Sequence, residues 1–128
     1  MAEPHPRVVD PGHPLVVRVR ELCMPYPGAT EKESWGRPTF RVGRMFAVIG
    51  STMDDPLTLM IKADPEERLA LLEDPRFFVP PYYGPDGWLG TALAGAHVDW
   101  TLLAELIDSS YRLLAPKRLL TELDSRSL

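Results

Sequence analysis

Two β-rich runs separated only by Gly43 and Arg44 constrain this chain more than any other feature of it. Pro38-Thr39-Phe40-Arg41-Val42 alternates, which places Phe40 and Val42 on one face and Thr39 and Arg41 on the other, and Met45 to Ile49 is the second run. Glycine first in a two-residue loop suits a type II′ turn, whose twist matches that of the strands it joins. A tight hairpin follows, with one apolar face and one wet face.

The neighbouring segments extend this pattern into a sheet. Leu57 to Lys62 alternates again, with Leu57, Leu59 and Ile61 facing inward as a third antiparallel strand. Ala29 to Trp35 reads as a polar edge strand, and Trp88 to Ala94 as another strand. Helices flank these strands. Leu15, Val19, Leu22 and Cys23 recur at helical spacing between Pro14 and Pro25, and Asp64-Pro65-Glu66-Glu67 combines an N-cap, a first-turn proline and a capping-box glutamate. Asp99 caps a long helix whose Leu103, Leu106, Ile107, Ser110, Leu113 and Leu114 share a face; Pro116 stops it, and Lys117 to Leu123 forms a last short helix. Between them, Arg76 to Gly87 (RFFVPPYYGPDG) is too rich in proline and glycine for regular structure. Short turns between strands imply an antiparallel sheet with helices packed on one face, an α+β two-layer sandwich.

Length and charge limit what such a domain can do. With 128 residues, 45% of them hydrophobic, the chain forms one domain with a real core. Residues 1–13 read as an irregular, proline-rich and partly mobile lead-in, 14–123 as the domain, and 124–128 as a polar tail. The lead-in carries no apolar run of signal-peptide length and Cys23 has no partner for a disulfide or a thiolate metal site, so a cytoplasmic location with no membrane partner is expected. A net charge of −4 means that a polyanion binds only at a local patch.

Two acid-free stretches offer such a patch. Arg37, Arg41 and Arg44 lie within Ser34 to Ile49, on one rim of the hairpin, and Arg112, Lys117 and Arg118 lie between Ser109 and Thr121. Guanidiniums so placed can straddle a phosphate backbone, although exposed arginines on a small hairpin are more often simply solvated. The chain contains neither asparagine nor glutamine, so recognition of base edges would fall to arginine and lysine, with little sequence preference and strong salt dependence. A second candidate is an aromatic cleft from Trp35, Tyr82, Tyr83 and Trp88, accompanied by Phe77 and Phe78, for a small molecule or peptide; the same rings can instead close an otherwise bare sheet face.

No catalytic pattern emerges. His97 has no nucleophile or second base at a recognisable spacing, and Ser109 and Ser110 lack the strand-turn-helix setting of an exposed nucleophile, Ser110 reading as a small residue where a helix packs closely. Asp54 and Asp55 precede Pro56 in a turn, and a lone pair of aspartates does not make a metal site. The expectation is a protein that is not an enzyme, with no cofactor and no metal.

The order of several short pieces resembles one family. Leu22-Cys23-Met24 with Pro27-Gly28-Ala29, Trp35-Gly36-Arg37-Pro38-Thr39-Phe40-Arg41-Val42 and Phe46-Ala47 are similar to the first half of the MmcQ/YjbR family. Tyr82-Tyr83-Gly84 with Gly87-Trp88-Leu89, and Ser109-Ser110-Tyr111-Arg112 with Ala115-Pro116-Lys117, are similar to its second half. The resemblance implies a secretion-chaperone-like α+β fold and a DNA-binding role, the latter by likeness of shape to a double-wing DNA-binding architecture. It implies no catalytic motif. In that reading both basic segments meet phosphate while Trp35 or Tyr83 stacks or wedges.

Overall fold

The computed structural model describes residues 8–50, 57–81 and 86–126. Asp54, Asp55, Tyr82 and Tyr83, read above as a turn and as cleft aromatics, lie outside the described residues, as do residues 1–7 of the lead-in.

The elements run α1 (Pro14–Cys23), β1 (Thr30–Ser34), β2 (Arg37–Val42), β3 (Arg44–Ile49), β4 (Thr58–Lys62), α2 (Pro65–Leu72), β5 (Phe77–Phe78), β6 (Trp88–Ala92), α3 (Trp100–Leu114) and α4 (Lys117–Arg126). The strands form one sheet in the order β1-β2-β3-β4-β6-β5, each neighbour antiparallel. The helix starts follow from their caps. His13 Nδ1 accepts from the Leu15 N–H at 3.1 Å, Asp64 Oδ1 from the Glu67 N–H at 2.9 Å, and Asp99 Oδ1 from the Leu102 N–H at 3.1 Å. Val16, Val19 and Cys23 of α1, Leu103, Leu106 and Ile107 of α3 and Leu119 of α4 join Phe40, Phe46, Leu59, Ile61 and Leu89 in one core on one face of the sheet. That is the two-layer α+β arrangement the pattern predicts.

A β-bulge shapes the centre of this core. Phe40 pairs with Ala47 but Arg41 pairs with Met45, so Phe46 is an extra residue on β3. Its ring turns to the helices and meets Tyr111 edge-on, with centroids 5.4 Å apart. Beyond the Ala47–Ile61 pair, the next ladder partners would be Phe46 and Lys62. Between them sits Ser110, whose hydroxyl donates to Phe46 O at 2.6 Å and accepts from the Lys62 N–H at 3.0 Å. The side chain of a helix thereby completes the sheet.

Tyr111, the next residue, is fully buried, and its hydroxyl donates to Pro27 O at 2.7 Å. Tyr26 stacks on it at 4.7 Å and donates to Asp108 at 2.9 Å. Thus Tyr111 occupies the buried face that the pattern assigned to Leu113, which is about half exposed. Gly28, at φ +71°, admits Leu119 of α4, since a Cβ there would stand 2.8 Å from Leu119 Cδ1.

Several boundaries differ from the sequence reading. The helix expected to end at Leu123 continues to Arg126, so residues 124–126 of the presumed tail are helical, tied back by Arg126 to Pro25 O and Glu122. Part of the lead-in is ordered too: Val9 is buried, and the Val8 and Val9 N–H groups both donate to Gly36 O. Phe77–Phe78, assigned to a loop, pairs with β6, because Thr91 Oγ1 donates to Arg76 O and holds the segment against the sheet edge.

Ser110→Ala leaves a buried carbonyl and a part-buried N–H without their partner, and should lower unfolding free energy by about 2–4 kcal/mol in urea titrations, given about 1–3 kcal/mol for the buried group left unsatisfied and about 1 kcal/mol for the other hydrogen bond lost. Alkali provides a second check. Burial pushes the Cys23 thiol up, and burial with the adjacent Asp108 pushes the Tyr26 phenol up. Both groups hold their protons longer when folded, so their contribution is complete below the unfolded values of about 8.5 and 10 and is lost as pH rises beyond them. The urea midpoint should fall above about pH 9, with a shallower fall in Cys23→Ala near onset and in Tyr26→Phe above about pH 10.

Candidate nucleic-acid interface

Strand alternation sorts the charges of β1 and β2 onto opposite faces. Phe40 and Val42 enter the helix-facing core, so Arg37, Thr39 and Arg41 share the outer face. In the β1–β2 register Lys32 stands opposite Thr39, Thr30 opposite Arg41 and Ser34 opposite Arg37, which puts Lys32 on that outer face as well. Glu31 and Glu33 occupy the other. Glu31 takes a two-pronged clamp from Arg20 of α1, with Nε–Oε1 2.5 Å and Nη2–Oε2 2.8 Å, and Arg20 also donates to Pro11 O. The hydrogen bonds that Arg20 donates to Glu31 raise the Arg20 pKa.

The outer positions of β1 and β2 therefore carry Lys32, Arg37 and Arg41 and no acid. Their backbones set the geometry: Arg37 and Arg41 are four residues apart, about 13 Å along the strand. Thr39 Oγ1 donates to Lys32 O at 2.6 Å and accepts from Arg41 Nε at 3.1 Å, which holds the Arg41 stem against the sheet. The Arg37 stem crosses Gly50, its Cδ and Nε 3.2 Å from where a Cβ would stand, and its Nη1 donates to Trp35 O at 3.4 Å. Among the described residues neither guanidinium has a carboxylate partner. Lys32 was missed in the sequence reading; its alternation with Glu31 and Glu33 was the available signal.

The other cations separate from this stripe. Arg44 pairs with Val42, so it leaves on the helix-facing side at the hairpin end rather than on one rim with Arg37 and Arg41. The reason is the bulge, which tightens the turn to Gly43 alone and makes Arg44 the first residue of β3. Arg112 is neutralised: its Nε meets Asp108 Oδ2 at 2.8 Å and its Nη1 meets Asp124 Oδ1 at 3.0 Å, contacts that raise its pKa and clamp α3 to α4. Lys117 and Arg118 are exposed at the start of α4. All three belong to the helical layer, across the sheet from Arg37 and Arg41.

The proposed cleft aromatics are dispersed as well. Trp35 is 64% exposed at the β1–β2 turn, whereas Trp88 is buried against Val48 and Met60 on the outer face. Thr39, Val48, Met60 and Gly90 make one row across the sheet. Trp35 lies beyond Arg37 on one side of that row, and Trp88, opposite Lys62, lies on the other, offset by three strand spacings or about 14 Å across the sheet and by about 20 Å along the strands. A hollow of about 380 Å³ does exist, but between the β5–β6 edge and the first turn of α3, lined by Phe77, Phe78, Leu102 and Leu103 together with His97 and Asp99. Arg76 closes one flank, donating to Asp74 and to His97 O and holding the Asp74 carboxyl below its usual range.

Among the described residues no cluster of His, Cys, Asp and Glu could hold a metal, and no helix is long and apolar enough to cross a membrane. No curated protein matches the chain. The crystal structure of Deinococcus radiodurans protein DR2400, a DUF419 domain, is similar to it at 28% identity and a TM-score of 0.68, covering 85% of this chain and 87% of that one. The family model YjbR matches residues 24–113, which span α3 through the Ser110 wedge as well as the whole hairpin region. The chain thus belongs to the MmcQ/YjbR family.

Proposed function

We propose that this protein is a non-catalytic, cytoplasmic DNA-binding protein that grips phosphate through the outer face of its β1–β2 pair. The observation that carries this reading is the sorting of charge across β1: Glu31 is held by Arg20 on the helical side, while Lys32, Arg37 and Arg41 line the outer side without an acid between them. Three cations so arranged can meet successive phosphates of one backbone. Arginine adds paired N–H donors that match phosphate oxygens. Base edges receive little from this surface, because the chain has no asparagine or glutamine to read adenine. Arg44, Lys117 and Arg118 contribute at most to the general field. A net charge of −4 keeps non-specific attraction low away from the stripe.

The hollow beside β5 supports a second reading, a site for a small apolar molecule or a peptide side chain. Its volume of about 380 Å³ falls within the usual range of ligand pockets, and its walls are largely apolar. That site is independent of the cationic stripe and insensitive to salt.

The test is fluorescence anisotropy of a labelled random-sequence DNA at about 50 and 200 mM salt, where roughly three phosphate contacts predict a loss of about 40-fold in affinity. The Arg37→Ala/Arg41→Ala double variant should lose most of the binding at the lower salt and show a shallower salt slope. Lys117→Ala/Arg118→Ala should retain it. Binding that survives the first pair would remove the β1–β2 stripe as the site, and no binding at low salt would remove DNA and direct the search to the hollow.

A further inference from the structure

Trp35 is the one non-glycine residue with positive φ among the described residues, at +57°, and Gly36 follows at +77°. Ser34 pairs with Arg37, so these two residues are the whole turn, of the type in which both central positions are left-handed. Asparagine, aspartate or glycine normally takes the first of them, because any Cβ there crowds the carbonyl, a cost that glycine avoids and that the short polar side chains of asparagine and aspartate offset by local hydrogen bonding. A tryptophan there is disfavoured in backbone conformation. It also forgoes burial, since 64% of it faces solvent.

The surroundings maintain that placement. The Val8 and Val9 N–H groups both donate to Gly36 O, at 2.9 and 3.2 Å, and Arg37 Nη1 donates to Trp35 O. The turn is therefore gripped from the chain's amino-terminal arm and from its own strand while the Trp35 residue stays mostly exposed. The other tryptophans are occupied differently: Trp88 is buried under the outer face, and Trp100 lies beneath the Arg18 guanidinium at 4.1 Å. A strained and exposed residue held by its neighbours is the pattern found where a side chain serves a ligand.

Resting on the phosphate reading above, we infer that Trp35 is a stacking platform for an unpaired base and that the ligand class is single-stranded nucleic acid. In a duplex both faces of each base are covered by neighbouring base pairs. A single strand offers an open face, and an indole accepts any base. Arg37 is the next residue but one and lies on the phosphate-binding face, so one nucleotide can place its base on Trp35 and its phosphate at Arg37. The turn geometry and the cationic stripe then address the two halves of the same ligand.

The test compares a labelled oligothymidylate with a labelled mixed-sequence duplex, at low salt, for the wild type, Trp35→Asn, Trp35→Phe and Arg37→Ala/Arg41→Ala. The strand should bind about 5- to 150-fold more tightly than the duplex, the range of one stacked base. Trp35→Asn should abolish that preference while its melting temperature holds or rises, because asparagine accepts the left-handed backbone; lost binding then cannot be ascribed to lost fold. Trp35→Phe should keep most of the preference, and the quenching of tryptophan emission by bound strand should vanish in it. Equal wild-type affinity for strand and duplex, or strand affinity unchanged in Trp35→Asn, overturns the stacking role and leaves the phosphate reading standing. Tighter binding to duplex that is lost in Trp35→Asn makes the indole a wedge and overturns the single-strand assignment. Absence of binding to either nucleic acid overturns the phosphate reading and this inference with it.

Discussion

A single buried hydroxyl joins the two layers of this fold. Ser110 projects from α3 to the end of the β3–β4 ladder, one step beyond the Ala47–Ile61 pair, and satisfies one group from each strand. Without that bridge, a buried carbonyl and a part-buried N–H would lose their partner, a penalty comparable to a large share of the stability of a small domain. The adjacent Tyr111 extends the same tie to Pro27, so two consecutive residues anchor the helix to β3, to β4 and to the connection between α1 and β1. Fixing α3 fixes what packs on it.

The bulge also decides which charges share a face. One inserted residue shifts the register of the hairpin, so that Arg44, which a plain two-residue turn would leave in the loop, pairs with Val42 and shares its face. Between Arg41 and Arg44 the chain passes through Gly43 with no second loop residue, so Arg41 stays outside while Arg44 turns to the helical side. On β1 the opposite sorting is enforced by Arg20, whose clamp commits Glu31 to the helices and leaves Lys32 facing out. A cationic outer stripe is thus a consequence of core packing on the far side of the same two strands.

The fold was legible wherever a local signal sufficed. Alternation revealed β2 and β4, caps revealed the starts of α2 and α3, and Gly43 marked the hairpin. The bulge was hidden because Phe46, Ala47, Val48 and Ile49 are all buried, and a run apolar on both faces has no readable phase. β5 was hidden for a different reason: two residues show no period, and their pairing depends on Thr91, far along the chain. The site was less legible than the fold. An acid-free stretch identifies arginines but not their faces or partners, and Arg112 finds Asp108 one turn before it and Asp124 on the next helix. Trp35 could be named from its sequence, but its left-handed backbone could not.

The net charge of −4 and a phosphate-binding face are compatible because screening acts over a distance shorter than the domain. The acids of α2, α3 and α4 lie in the helical layer, and Glu31 turns toward it, whereas Lys32, Arg37 and Arg41 look the other way. Packed layers are separated by about 10 Å, and the Debye length at physiological ionic strength is about 8 Å. A phosphate approaching the outer face there meets the stripe at close range and the distant carboxylates only weakly. At about 10 mM salt the screening length grows to about 30 Å, and the same phosphate feels the whole acidic domain. Affinity set by the stripe alone would rise without limit as salt is withdrawn; with the acidic layer behind it, the rise should level off at low ionic strength. The curvature of that dependence, rather than its steepness, reports on which face the ligand has found.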